Sequence, residues 1–178
     1  MKFLIFILGL LPLVRLVALG FQDDLTANPI EFITRSTGTW ALVFLCLTLS
    51  ITPLRRLTGW NQLLRYRRML GLFVFFYALL HFSIWFWLDH NLSWSEMWQD
   101  VLKRPFITLG FIAFVGLWPL ALTSNQWAMH QLKRRWGQLH RLVYLIAVLV
   151  ILHYFWHKSG KNDFLYFVIY GLVITSLL

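Results

Sequence analysis

Six histidines occur in a chain that is 59% hydrophobic, and three of them, His81, His140 and His153, fall inside long apolar runs. An imidazole taken into lipid needs a partner, so an intramembrane ionisable group marks a functional site unless a neighbouring helix satisfies it. His81 stands twelve residues after Met69, and His153 stands twelve after Arg141. If both runs are helices crossing in the same direction, each ring lies ~18 Å from the inner end and the two are level. Two level imidazoles on neighbouring helices can hold one metal ion between them. Zinc asks for four ligands, commonly with cysteine or carboxylate, whereas these runs contain no carboxylate and Cys46 stands alone. A haem brings four equatorial nitrogens and needs only two axial ligands from protein. With 18% aromatic residues available to line a flat apolar macrocycle, haem b is the expected cofactor. The absence of C-x-x-C-H excludes covalent c-type attachment.

His140 lies thirteen residues before His153, ~20 Å deeper and rotated by roughly 220° on a straight helix. It has no level histidine; the corresponding place on the third run is near Arg67 and Arg68. Two roles stay open for it: ligand of a second haem, with His130 or His157 as a substitute, or partner of a propionate or a quinone. His90, His130 and His157 fall at run edges or in a loop, where an imidazole is ordinarily solvated or interfacial.

The elements that must position these rings are apolar helices. Six stretches qualify: Phe3–Gly20, Thr39–Pro53, Met69–Leu88, Ile107–Leu122, His140–His157 and Phe164–Leu178. A crossing helix needs ~20 residues, so the third and fifth qualify easily and the second, fourth and sixth are short. The first resembles a signal peptide, but Arg15 interrupts it and no A-x-A site follows, so a retained span is expected. Arg15 is expected to snorkel to the outer interface. The loop 54–68 carries Arg55, Arg56, Arg65, Arg67 and Arg68 without an acid, and the loop 123–139 adds Lys133, Arg134 and Arg135. The positive-inside rule makes both cytoplasmic. All seven acids fall in the loops that alternation then places outside, and both termini come out inside. Trp85, Trp87, Trp94, Trp98, Trp136 and Trp156 read as interfacial anchors. The expected fold is an all-α integral membrane protein. It is one domain over residues 1–178, a six-helix bundle holding haem b between the third and fifth spans. No internal repeat is visible.

The net charge of +9 is explained by these topology-fixing loops rather than by nucleic-acid binding. Cys46, in an apolar run, reads as a buried inert thiol. No G-x-G-x-x-G follows the spans, so electrons are expected from a separate donor.

Several motifs, in order, resemble the MsrQ (YedZ) family, haem-binding membrane subunits in the ferric-reductase-like transmembrane group. They are "ANPIEFITRSTGTWAL" (27–42), "ITPLRR" (51–56), "RRMLGLFVFFYALLH" (67–81), "KRPFITLG" (103–110), "ALTSNQ" (121–126) and "WGQLHRLVYL" (136–145) with "LHYFW" (152–156). The resemblance implies haem-iron axial ligands at His81, His140 and His153, with one or two haems b, and association with FMN. It further implies a bacterial inner-membrane location and electrons drawn from membrane quinol. The acceptor would be a periplasmic molybdopterin-containing methionine sulfoxide reductase, paired with this chain as a heterodimer that repairs oxidised proteins. The chain would then be an electron-transfer subunit rather than the catalytic one. The acid-bearing outer loops with Trp94 and Trp98 are the candidate docking surface. Two other readings are a stand-alone membrane cytochrome b or ferric reductase fed by a cytosolic flavin reductase, and a non-redox bundle with structural histidines.

Overall fold

The computed structural model describes residues 1–159 together with Tyr170, Gly171 and Ile174. Among these residues the regular structure is all helical and contains no strand. Within residues 1–159 eight α-helices occur in order: α1 (Lys2–Phe21), α2 (Pro29–Thr58), α3 (Leu64–Ile84), α4 (Trp94–Lys103), α5 (Pro105–Leu122), α6 (Gln126–Leu132), α7 (Arg134–His140) and α8 (Leu142–Ser159). Among the described residues five segments are long and apolar enough to cross a membrane: Lys2–Phe21, Pro29–Thr58, Asn61–Asp89, Pro105–Leu122 and Arg134–Trp156. They correspond to the first five expected spans. The sixth, Phe164–Leu178, lies outside the described residues except for Tyr170, Gly171 and Ile174.

The second span is far longer than its apolar stretch. Asn28 caps α2 by accepting the Glu31 amide at 3.2 Å, and Pro29 occupies the first helical turn. Both choices favour a start there, since the cap satisfies an orphan N–H and proline needs none. An ion pair between Glu31 and Arg35 at 3.2 Å then carries the helix through its polar beginning. At 30 residues α2 is ~45 Å long, against a hydrocarbon core of ~30 Å. The fifth span, expected to be continuous, divides at Arg141. Around it, the Arg141 amide donates to Gln138 and the Tyr144 amide to Arg141, three residues back in each case. This tightens one turn between α7 and α8.

Helices α2 and α3 pack along their length, α5 and α8 do the same, and α3 meets α5. Between them lies a core of Leu42, Leu45, Leu49, Tyr77, Ala113, Ile146 and Ala147, all buried. Helix α1 joins through Gly9, where a Cβ would fall 2.5 Å from the Phe73 ring. There the Tyr77 hydroxyl donates to the Gly9 carbonyl at 2.7 Å. In lipid, helix association rests on such close packing and interhelical hydrogen bonds rather than on expulsion of water. Apolar side chains point outward all round the bundle, among them Leu8 and Val14 on α1, Val115 on α5, and Leu145 and Leu152 on α8. That much outward apolar surface suits a lipid solvent and not water.

One stretch expected to be an outer loop is helical. Ser93 caps α4, Met97 and Val101 are buried beneath it, and Trp94, Trp98 and Leu102 stand exposed. The spacing of four between the exposed residues puts them on one face.

Candidate functional site

The structure brings His81 and His153 together. His81 sits near the end of α3 and its Nδ1 donates to the Thr34 carbonyl of α2 at 2.8 Å. His153 sits on α8 and its Nδ1 donates to the Phe106 carbonyl of α5 at 2.7 Å. A carbonyl only accepts, so each neutral ring carries its proton on Nδ1 and leaves the Nε2 lone pair unprotonated. Such a bond fixes tautomer and orientation in metal-binding histidines and raises the basicity of the ligating nitrogen. The ring centroids are 6.3 Å apart and the planes are inclined by 77°. Two metal–imidazole bonds of about 2 Å each, with half a ring on either side, span a gap of this size.

Each ring lies against a glycine. A Cβ on Gly38 would come within 3.0 Å of the His81 ring, and one on Gly110 within 2.8 Å of His153 Nδ1. Thr37, buried beside Gly38, directs its hydroxyl to the Ile33 and Thr34 carbonyls at 2.9 Å. Phe106 places its own ring 6.1 Å from that of His153. Among the described residues no group of three or more His, Cys, Asp or Glu side chains converges. The donor set is therefore two neutral imidazoles, suited to a metal that already has its other ligands.

His140 stands apart from this pair. Its Nδ1 donates to the Trp136 carbonyl at 3.1 Å, and its ring stacks on the Trp136 indole at 3.9 Å. Its Nε2 is buried and has no hydrogen-bond partner. It borders a cavity of about 600 Å³ whose lining includes Arg65, Arg67, Arg68 and Arg141 but no carboxylate. Arg67 also reaches Thr52 Oγ1 at 3.3 Å. Trp136, expected to be an interfacial anchor, instead forms a wall of this cavity. Its indole N–H donates to the Thr123 carbonyl at 2.9 Å, which ties α7 to the end of α5. A buried polar nitrogen beside four arginines is a seat for an acidic ligand with a metal or a hydrogen-bond donor near its centre.

The remaining histidines lie elsewhere. His90 packs edge-on against Trp85, its Nε2 3.4 Å from an Asp100 carboxylate oxygen without hydrogen-bond geometry. Asp100 is also paired with Arg104 at 3.2 Å. His130 is exposed on α6, and His157 belongs to the last turns of α8.

Comparison with known proteins follows the same outline. A family profile described as "Ferric reductase like transmembrane component" matches residues 37–151, a segment that contains His81 and His140 and ends just before His153. A protein of Herminiimonas arsenicoxydans named "Protein-methionine-sulfoxide reductase heme-binding subunit MsrQ" is 58% identical, over 99% of this chain and 82% of its own. The same name belongs to a Bordetella pertussis protein, 58% identical over 99% of this chain and 86% of its own. It belongs also to one from Polaromonas naphthalenivorans, 46% identical over 99% and 81%. No solved structure gives a significant match.

Proposed function

The chain belongs to the MsrQ family of ferric-reductase-like haem-binding membrane subunits, and on that premise we propose that His81 and His153 hold haem b as its axial ligands. The observation that carries this reading is the paired geometry: two rings 6.3 Å apart, each with Nδ1 bound to a helix carbonyl. The residues present fit the group. Both donors are neutral imidazole nitrogens, and glycine rather than a larger side chain backs each ring. When bound between two histidines, haem b supplies a one-electron couple with no open coordination position, which favours electron transfer over oxygen chemistry. The chain's own contribution is to orient both imidazoles through Thr34 and Phe106, and to keep the site within apolar helices.

The cavity beside His140 is the second cofactor position in this reading, with His140 as ligand of a further haem b. Its arginines would then neutralise propionates. The outer placement of the His81–His153 pair suits delivery to an acceptor outside an inner membrane in which both termini face the cytoplasm. That acceptor is a periplasmic molybdopterin-containing methionine sulfoxide reductase, with which the chain forms a heterodimer. Membrane quinol is the donor. FMN and quinol are carried by family resemblance alone, and no residue is assigned to either.

The test uses the purified chain in detergent with its reductase. The expected result is a reducible b-type spectrum with Soret and α bands. These are reoxidised when the oxidised reductase and methionine sulfoxide are added. Absence of b-type bands would favour a structural role for the histidines. Reoxidation by chelated ferric iron but not by the reductase would favour a stand-alone metal reductase.

A further inference from the structure

The two histidine seats share one construction. His81 reaches back 47 residues to the Thr34 carbonyl, and His153 reaches back 47 residues to the Phe106 carbonyl. In each case a glycine stands four residues after the accepting carbonyl, Gly38 after Thr34 and Gly110 after Phe106. The spacing has a reason. Within an α-helix the carbonyl of residue i accepts the amide of residue i+4. Every Cα–Cβ bond tilts toward the helix N-terminus, so the Cβ at i+4 lies over the turn that holds carbonyl i. At both sites here the imidazole approaches that carbonyl through the space a Cβ at i+4 would occupy. Glycine inside a helix costs about 1 kcal/mol relative to alanine, so its presence at both equivalent places calls for such a steric cause.

We propose that Gly38 and Gly110 are positioning residues that set the two imidazole planes. The α2–α3 and α5–α8 helix pairs are then two copies of one ring-seating device without a sequence repeat. Gly110 is the stricter of the two. Its added Cβ would meet His153 at 2.8 Å (Nδ1), 2.9 Å (Cε1) and 3.2 Å (Cγ). On Gly38 the corresponding contacts with His81 are 3.0, 3.0 and 3.6 Å. A ring held by a carbonyl on one side would, if it also held haem iron, have little room to step aside. Alanine at position 110 therefore breaks the Nδ1 bond, the metal bond or both, whereas alanine at position 38 tilts the ring. This inference rests on the ligand reading above.

The experiment compares Gly110→Ala, Gly38→Ala and Gly116→Ala in the full-length chain. Gly116 serves as control on the same helix pair, because its Cβ would meet the ends of aliphatic side chains, Ile146 at 3.3 Å and Leu142 at 3.8 Å, with no histidine among these contacts. Haem per protein, the low-spin electron paramagnetic resonance spectrum and the midpoint potential are read on monodisperse detergent samples. For Gly110→Ala the expected loss of haem affinity is about 10–100-fold, the usual consequence of losing an outer-shell partner. Gly38→Ala is expected to keep haem but shift the low-spin g-values and the potential. Gly116→Ala is expected to leave both unchanged. An unaltered spectrum and potential in both Gly38→Ala and Gly110→Ala would overturn the proposal, and so would a Gly116→Ala loss equal to that of Gly110→Ala. Gly38→Ala keeps the question decidable if Gly110→Ala does not fold. Histidine variants separate the two levels. If His81→Ala and His153→Ala lose haem while the glycine variants do not, only the seating inference fails. If the histidine variants keep haem, the ligand reading itself fails.

Discussion

Alanine at position 153 is expected to abolish the low-spin b-type spectrum of the His81–His153 site, and alanine at position 81 to do the same. In the proposed reading each ring supplies one of only two protein ligands. Each is tied by one short Nδ1 bond to a neighbouring helix, at 2.7 Å for His153 and 2.8 Å for His81. Losing either ring leaves a single imidazole, and neither His90 nor His130 is placed to replace it. His90 is packed on Trp85 beside Asp100, and His130 is exposed on α6. The loss should therefore exceed the 10–100-fold typical of outer-shell changes and be of similar size for both variants. Added imidazole should restore a low-spin spectrum in His153→Ala, because the truncation leaves a ring-sized space against Gly110. His140→Ala should leave this component intact and affect only absorption that depends on the inner cavity. Haem-to-protein ratios and optical spectra of the three purified variants decide the matter. A normal low-spin spectrum in both His81→Ala and His153→Ala would remove these residues from the ligand set.

How much of this was readable beforehand depended on whether a residue's role is written in its own side chain. The pairing of His81 with His153 followed from counting residues between charged span ends, because helical rise is fixed and both spans were expected to run in one direction. The long second helix was announced by "NPIE", with a capping asparagine and a first-turn proline. Apolar patterning overrode that signal, since Glu31, Arg35 and the neighbouring Thr and Ser residues look like loop. The same bias hid α4, where Met97 and Val101 give one narrow apolar face among charged neighbours. The break at Arg141 has neither proline nor glycine to announce it. Thr34 and Phe106 act through backbone carbonyls, which every residue type possesses, so no reading of side chains could single them out. Gly38 and Gly110 did leave a trace, as isolated glycines within helical patterns. Trp136 was legible as an aromatic near a span end, but not as the platform for His140, because an interfacial anchor and a stacking partner look alike in sequence.

The second large effect is expected at Tyr77, one helical turn before His81 on α3. This side chain is fully buried, stacks on Phe44 at 5.4 Å and 12°, and donates its hydroxyl to the Gly9 carbonyl. It thus joins α1, α2 and α3 at one point. Two contributions can be separated by substitution. Tyr77→Phe removes only the hydrogen bond, and interhelical hydrogen bonds in membranes are worth about 0.6 kcal/mol on average. Tyr77→Ala also empties the space between Phe44, Phe73 and α1. Large aromatic truncations cost about 3–5 kcal/mol in soluble cores. Part of that figure is transfer from water, which lipid does not supply, so a loss near the lower end, about 3 kcal/mol, is expected. Unfolding of the haem-free protein in mixed micelles measures both values on one scale. Equal losses for the two variants would show that the hydroxyl, and not ring packing, holds α1 to the bundle. The spectrum adds a second discrimination. Tyr77 directs its hydroxyl to α1 and not to an imidazole, so Tyr77→Ala should lower the yield of haem-loaded protein while leaving its low-spin signature unchanged in form. Gly38→Ala, one contact from His81, should do the opposite. A Tyr77→Ala spectrum shifted like that of Gly38→Ala would mean that the ring plane of His81 is set by the rotation of α3 as a whole, and not by the glycine seat on α2.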